Sequence, residues 1–157
     1  MSSCCPGSSC ENDGQVCPRC GEKGVSLDPI TLKALLTSEA LRRGVPQNPR
    51  FCATATCPVV YFDADIIFTE SEIVVAVHAK HPDVDSVPVC YCFEYTPASI
   101  RVEINRCGKA TAFATITAEV KAGHCACEVR NPKGDCCLGD VFKTEQRLMS
   151  ELVPAAR

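Results

Sequence analysis

The sequence predicts an α+β fold in two small subdomains, the first containing a short antiparallel sheet and the second mostly helical. Apolar residues at strand-like spacing are concentrated between residues 58 and 77, whereas apolar residues recur at helical spacing between residues 96 and 121. Beyond a short N-terminal tail, the cysteines form two groups on either side of residues 81–88. We therefore expect a flexible cysteine-rich tail at 1–15 and subdomains at 16–86 and 87–157.

Charge and hydropathy exclude several functional classes. The net charge is −3, and Lys and Arg are scattered without the basic stripe that nucleic-acid binding requires. The longest apolar runs, such as 73–77, are far shorter than the roughly 20 residues that cross a bilayer. The N-terminus lacks the basic and apolar regions of a signal peptide, which predicts a cytoplasmic protein with reduced thiols.

Each predicted subdomain is too small for a hydrophobic core alone to stabilise it well. At roughly 60 to 70 ordered residues, small domains commonly depend on a bound metal. The chain has 14 cysteines and no Trp, so we expect folding to be coupled to metal binding. The sequence contains no nucleophile, base and orienter set and no Gly-rich phosphate loop. It therefore favours an electron-transfer or metal-binding protein over an enzyme.

Two pairs of cysteines predict a zinc site in the first subdomain. Cys17 and Cys20 are separated by two residues, which allows both sulfurs to face one ion, and Cys52 and Cys57 form a second close pair. Four thiolates without a further ligand nearby in the sequence are typical of structural zinc. A thioredoxin-like redox pair is the alternative, but it needs a strand before the motif and a helix beginning at it, and neither is predicted.

The rest of the first subdomain is predicted to be one helix followed by a sheet. Apolar residues at helical spacing predict a helix over residues 31–41, which Gly44 and Pro46 end. Three strands are predicted at 58–62, 66–68 and 73–77.

Two helices are predicted in the second subdomain. The first begins with Thr96 as N-cap and Pro97 at the first helical position, and ends at Gly108. The second spans residues 111–121 and ends at Gly123. The residues expected to be buried on these helices are Ile100, Ile104, Cys107, Phe113, Ile116 and Val120.

Cysteines lie on both sides of these helices. Cys90 and Cys92 precede them, and a turn at 131–134 folds the chain back so that a thiolate before the turn meets one after it. In an extended segment Cys125 and Cys127 point to opposite sides, so only one of them should reach a shared site. The adjacent pair Cys136 and Cys137 presents the same choice, which the residues alone leave open.

The second subdomain resembles known iron-sulfur proteins. The sequence Val-Cys-Tyr-Cys-Phe at 89–93, two helices and a late cysteine set resemble the [2Fe-2S] domain of bacterioferritin-associated ferredoxins. The stretch Cys-Glu-Val-Arg-Asn-Pro-Lys-Gly-Asp-Cys-Cys at 127–137, taken with the preceding zinc-type part, is more similar still to the N-terminal domain of CopZ-type copper chaperones. This resemblance covers about residues 16–142.

The resemblance implies one Zn²⁺ and one [2Fe-2S] cluster. It places the zinc on Cys17, Cys20, Cys52 and Cys57. It places the cluster on Cys90, Cys92, Cys127 and Cys137. It further implies a role in copper homeostasis, with single-electron transfer that reduces Cu(II) to Cu(I) before delivery to a copper chaperone domain or a copper-exporting ATPase.

Two departures leave other functions open. The chain lacks the final CxxC of the ferredoxins, so a bacterioferritin partner is not implied, and its residues up to Arg157 contain no heavy-metal-associated domain with a copper-binding CxxC. One alternative is a non-redox metallochaperone that holds Cu(I) on Cys4, Cys5 and Cys10 of the tail. Another is a ferredoxin that serves an unrelated reductase.

The three histidines are too dispersed in the sequence to form one site. They are His78, His81 and His124. We expect them to be solvated or to hydrogen-bond near a metal ligand, and His124 is placed near the cluster because it precedes Cys125.

Overall fold

A computed structural model describes residues 15–152 as a small antiparallel sheet with two helices between its first two strands and four helices after its last strand, which confirms the α+β class. The predicted tail cysteines Cys4, Cys5 and Cys10 lie outside the described residues. The strands are β1 (Val25–Ser26), β2 (Arg50–Phe51), β3 (Val59–Asp63) and β4 (Ile66–Thr69). The helices are α1 (Pro29–Leu35), α2 (Ser38–Arg42), α3 (Pro97–Cys107), α4 (Ala112–Lys121), α5 (Cys127–Arg130) and α6 (Leu138–Leu152), with 3₁₀ turns at Glu70–Glu72 and His78–Lys80.

Strand β3 separates two parts of the core in the first half of the chain. The sheet has the order β1-β2-β3-β4 and is antiparallel throughout, with Phe51 opposite Tyr61. Val60 and Tyr61 belong to the core that includes the leucines of α1, whereas Val59 and Phe62 pack with the buried cysteines of the first group. Burial on both sides of β3 therefore connects the helical core to the cysteine pairs.

Close packing of Gly24 against the sheet requires a residue without a side chain. A Cβ atom at Gly24 would lie 2.4 Å from the Phe62 ring and 2.8 Å from the Arg50 Cβ. We expect Gly24→Ala to lower the free energy of unfolding by about 1 to 3 kcal/mol because of this overpacking. Thermal or denaturant unfolding of the zinc-loaded protein measures the effect. Gly139→Ala is the control, since nothing lies within 4 Å of its Cβ position, and equal stabilities of the two variants would contradict the prediction.

The single helix predicted over 31–41 is wrong, because the chain divides into α1 and α2 at Leu36 and Thr37. Leu36 is extended and forms an isolated bridge with Ile73, while Thr37 caps α2 by accepting a hydrogen bond from the Ala40 amide. The strand predicted at 73–77 is also wrong, since its first residues pair with this break: the Val74 N–H donates to the Leu35 carbonyl at 2.8 Å. Long-range pairing thus interrupts a segment with continuous helical periodicity.

Helices α3 and α4 confirm the predicted caps. The Thr96 side chain accepts a hydrogen bond from the Ser99 amide, and Gly108 and Gly123 follow the helices with φ of 76° and 78°. Cys107 is exposed, so the prediction that it is buried on α3 is wrong. Helix α6 was not predicted and packs against both α3 and α4.

The two halves of the chain are in contact through the segment that contains α5. The Thr31 hydroxyl of α1 donates to the Glu128 carbonyl at 2.6 Å, and the buried Tyr61 hydroxyl donates to the Pro132 carbonyl at 2.6 Å. The predicted turn at 131–134 forms, with the Gly134 N–H donating to the Asn131 carbonyl at 2.8 Å. Packing between the halves therefore positions the cysteines on either side of this turn.

Candidate metal sites

The first cysteine pair lies on a tight backbone turn. The Cys17 N–H donates to the Glu22 carbonyl and the Gly21 N–H to the Cys17 carbonyl, both at 2.8 Å. Gly21 has a φ of 76°, a left-handed conformation that glycine adopts without strain. This turn directs the Cys17 and Cys20 sulfurs to the same place.

The second pair lies at the entry to β3. The Cys52 N–H donates to the Val60 carbonyl at 2.9 Å, and the Cys57 N–H donates to the Thr54 carbonyl at 3.1 Å. The first bond extends the pairing of β2 with β3, and the second closes a turn between the two cysteines. The sheet and this turn therefore hold both sulfurs against the first pair.

The four sulfurs converge in the geometry of a tetrahedral site. All four lie within 4.8 Å of one another, and the closest approaches are 3.7 Å for Cys17 to Cys57 and 3.7 Å for Cys20 to Cys52. A tetrahedral zinc with Zn–S bonds of about 2.3 Å separates its sulfurs by about 3.8 Å. The donor set and its spacing therefore fit a structural zinc ion.

Hydrogen bonding and burial affect the pKa values of these thiols in opposite directions. Burial raises the pKa values of Cys17, Cys52 and Cys57. A side-chain hydrogen bond with Thr54, 3.4 Å from the Cys20 sulfur, lowers the pKa of Cys20 to about 6. Cys20 is thus the thiolate available to a metal ion at neutral pH, and binding at the other three releases protons.

Lys80 is a buried cation beside this site. It is 9% exposed, its ammonium donates to the Thr54 carbonyl at 2.8 Å, and its charge lowers the pKa of Cys52 against the effect of burial. A zinc ion with four thiolates has a net negative charge, which a nearby ammonium stabilises. The sequence gives no signal for this contact, because a backbone carbonyl accepts the hydrogen bond.

We expect Lys80→Met to weaken zinc binding about tenfold, since the thiolates lose a compensating charge and the turn at Thr54 loses a hydrogen bond. Competition with a chromophoric chelator measures the affinity. Lys33→Met, on the exposed side of α1, is the matched control. Equal zinc affinity of the two variants would contradict a role of Lys80 in the site.

The second cysteine group is assembled from three segments. Cys90 and Cys92 lie in a loop that is closed where the Tyr95 N–H donates to the Cys90 carbonyl at 3.1 Å. Cys127 is the first residue of α5, which corrects the prediction of an extended segment there. Cys137 directly precedes α6, and its carbonyl accepts a hydrogen bond from the Val141 amide at 2.9 Å.

The four thiols of these segments lie near one another in the core of the second half. The Cys92 and Cys127 sulfurs are 3.6 Å apart, and the Cys137 thiol is near enough to those of Cys90 and Cys127 to shift their pKa values. The Ala126 N–H donates to the Cys92 sulfur at 3.2 Å. The structure thus brings together the four cysteines that the family resemblance implies.

The pKa values of these thiols follow their contacts. Hydrogen bonding to Cys137 lowers the pKa of Cys90 to about 7 and that of Cys127 to about 6. Burial raises the pKa of Cys92 to about 11, and the hydrogen bond with Cys127 raises that of Cys137. Two of the four thiols are therefore readily ionised before a cofactor binds.

The sulfurs of the second cysteine group are spread more widely than those of the first. Among residues 15–152, only Cys17, Cys20, Cys52 and Cys57 form a group compact enough for a single ion. A [2Fe-2S] cluster needs two thiolates on each of two irons, so its ligands are spread more widely than those of one ion. The four thiols of the second group therefore fit a [2Fe-2S] cluster.

The remaining cysteines and histidines have other surroundings. Cys125 and Cys136 are half-buried, and each lies shortly before a candidate ligand in the sequence, Cys127 and Cys137 respectively. The His81 ring contacts Glu70 at 2.5 Å, and the exposed His124 ring contacts Glu119 at 2.6 Å. His124 therefore pairs with a residue of the preceding helix α4, whereas we expected it to form a hydrogen bond near the cluster.

Comparison with known proteins identifies the family. A family model described as a zinc binding domain, zf_CopZ, matches residues 14–74. The "Copper chaperone CopZ" of Archaeoglobus fulgidus is 32% identical over 121 residues, which are 77% of this chain and 57% of that protein. The crystal structure of the A. fulgidus CopZ N-terminal domain superposes with a TM-score of 0.68 at 30% identity, covering 82% of this chain and 95% of that domain.

The chain belongs to the CopZ N-terminal domain family. It spans 57% of the length of the curated CopZ relative. The CopZ zinc-binding domain contains both cysteine pairs of the compact four-sulfur group. Among the helices of residues 15–152, none combines the length and the apolar character needed to cross a bilayer.

Proposed function

We propose that this protein contains zinc and a [2Fe-2S] cluster and acts in copper homeostasis by transferring single electrons that reduce Cu(II) to Cu(I). The observation that carries the proposal is the convergence of Cys90, Cys92, Cys127 and Cys137 from three segments of the chain. The similarity to a protein named as a copper chaperone supports copper as the metal that is handled.

The two sites have different roles in this proposal. Zinc on the compact group of Cys17, Cys20, Cys52 and Cys57 has no redox chemistry and stabilises the sheet and its connections. The [2Fe-2S] cluster supplies the one-electron chemistry. The Ala126 N–H, which points at the Cys92 sulfur, favours the reduced cluster because hydrogen bonds to sulfur stabilise added negative charge.

The reaction is a single electron transfer. An external one-electron donor, such as a reduced flavoprotein, reduces the cluster, and the reduced cluster then passes one electron to Cu(II), which becomes Cu(I). Thiolates prefer Cu(I), so the product is suited to transfer to a thiolate site. We propose a copper chaperone domain or a copper-exporting ATPase as that acceptor, and the cytoplasm as the compartment.

Metal analysis tests the presence of both cofactors. Anaerobically purified protein is expected to contain about one zinc, two irons and two sulfides per chain. Dithionite reduction should produce the EPR signal of a reduced [2Fe-2S] cluster. Zinc without iron and sulfide would overturn the electron-transfer proposal.

Reoxidation by copper tests the role of the cluster. The dithionite-reduced, desalted protein should lose its EPR signal on addition of Cu(II) and produce one Cu(I) per reduced cluster. Ferricyanide is the control, because it accepts an electron from a competent cluster without any copper site. Reoxidation by ferricyanide but not by Cu(II) would overturn copper reduction and favour a ferredoxin that serves an unrelated reductase.

A further inference from the structure

The loop that carries the first two cluster cysteines is hydrogen-bonded to the first half of the chain. Tyr91 lies between Cys90 and Cys92, and its hydroxyl donates to the Ala76 carbonyl at 2.5 Å. The same hydroxyl accepts a hydrogen bond from the His78 amide at 3.0 Å. Two backbone groups of the first half therefore hold the one side chain that separates these two cysteines.

The segment that carries the other two cluster cysteines, residues 127–137, accepts two hydrogen bonds from the first half. The donors are the hydroxyls of Thr31 and Tyr61, which are both fully buried. The acceptors are the backbone carbonyls of Glu128 and Pro132, each at 2.6 Å. A buried carbonyl that loses its donor carries the full cost of desolvation, so these bonds fix the segment against the first half.

Close packing holds the same segment in place. A Cβ atom at Gly134 would lie 2.9 Å from the Thr31 hydroxyl oxygen and 3.3 Å from the Leu27 Cβ. The side chain of the buried Asn131 closes the turn from within by donating to the Asp135 carbonyl at 2.7 Å. A displacement of α1 would therefore move this segment as a whole.

Strand β3 connects these donors to the zinc site. Val59 and Phe62 pack with the zinc cysteines, whereas Tyr61 packs with the leucines of α1, the helix that contains Thr31. The free energy of binding a structural metal is available for folding the residues around it. Loss of zinc thus removes the support of β3 on one side and displaces Tyr61 and α1 on the other.

The zinc site has a different dependence on the two halves. In the part of the chain that the structure describes, the hydrogen bonds that hold the zinc cysteines come from the first half, namely from the backbone of Glu22, Thr54 and Val60. Coupling between two sites is reciprocal at equilibrium, so the order of loading depends on which site is complete without the other. The zinc site has its supporting bonds within the first half, whereas both cluster segments depend on it.

We propose that the zinc-loaded first half is the template on which the cluster binds, with Thr31, Tyr61 and Tyr91 as positioning residues. The inference rests on the [2Fe-2S] cluster of the proposed function. Zinc binds first and orders β3 and α1, and the three hydroxyls then hold the two cluster segments so that the four thiols meet. Binding of the oxidised cluster releases the thiol protons and changes no oxidation state.

Iron release from the purified protein tests the positioning residues. With excess iron chelator, Tyr61→Phe, Tyr91→Phe and Thr31→Val should each lose the cluster about fivefold to tenfold faster than the parent, with zinc retained, since each leaves a carbonyl without its donor. Thr31→Ser keeps the hydroxyl and should match the parent. Thr144→Val is the matched control, because the buried Thr144 hydroxyl donates to the Asp140 carbonyl of its own helix at 2.8 Å.

Amide hydrogen exchange distinguishes positioning from a general loss of stability. In Tyr61→Phe and Thr31→Val, the amides of residues 127–137 should exchange faster, whereas those of β3 should keep their protection. Faster exchange in both segments would overturn a positioning role.

Reconstitution tests the order of loading. Metal-free, reduced protein that receives zinc and then iron(III) and sulfide should regain the cluster, whereas omission of zinc should lower the yield at least about fivefold. The EPR signal of the dithionite-reduced protein counts only the cluster, because a single ferrous ion on the zinc cysteines does not give that signal. Equal yields with and without zinc would overturn the template.

The outcomes separate this inference from the proposed function. If the parent holds a cluster and the three variants release iron at its rate, the template is overturned, although electron transfer stands. If the parent holds zinc and no cluster, the proposed function fails. Hydrogen exchange of the zinc-loaded protein then decides: faster exchange of residues 127–137 in Tyr61→Phe and Thr31→Val supports positioning by the first half, and unchanged exchange overturns it.

Discussion

Replacing Cys137 with serine is expected to abolish the [2Fe-2S] cluster, whereas Cys136→Ser, one position earlier, should retain it. Cys137 is 1% exposed, and its thiol is near enough to those of Cys90 and Cys127 to shift their pKa values, so it lies between the other two segments. Cys136 is half-buried and lies beside this arrangement. Iron and sulfide content, visible absorption and the EPR signal of the reduced protein measure the loss.

A second pair of variants tests the same assignment on the other side of the turn at 131–134. Cys127→Ser should behave like Cys137→Ser, because the Cys127 sulfur is 3.6 Å from that of Cys92. Cys125→Ser should behave like Cys136→Ser. A cluster that survives in Cys137→Ser and is lost in Cys136→Ser would reverse the assignment of these neighbouring residues.

Replacing Cys52 with serine is expected to release zinc and unfold the first half of the chain. Cys52 is 2% exposed and packs with Val59 and Phe62 of β3, so the metal site and this part of the core are one structure. Loss of a structural metal is among the few single changes that cost more than about 4 kcal/mol of stability. Zinc content and the free energy of unfolding in denaturant measure the effect.

The matched control for this prediction is Cys107→Ser. Cys107 is exposed at the end of α3, and an exposed substitution of this kind changes stability by less than about 0.5 kcal/mol. A chelator should lower the stability of this control toward that of Cys52→Ser. If Cys52→Ser keeps its zinc and has the same free energy of unfolding as the control, the compact four-sulfur group is not a structural zinc site.

Helix ends and tight turns were predictable because their causes are local. The Thr96 cap acts on an amide three residues away, and Gly108 and Gly123 end helices through their own backbone conformation. The break at Leu36 was not predictable, since it depends on pairing with Ile73 across the fold. Cys107 was wrongly expected to be buried because helical periodicity does not show where the neighbouring helix stops covering α3.

The sequence by itself determined the α+β class, the ends of α3 and α4 and the division of the cysteines into two metal-type groups. Only the tertiary structure decided which sulfurs meet, because contacts such as that between Cys92 and Cys127 join residues 35 positions apart. It also decided the surroundings of each site: the ammonium of Lys80 and the amide of Ala126. Side-chain patterns act over a few residues, whereas these contacts depend on how the two halves pack and on backbone groups that no sequence motif specifies.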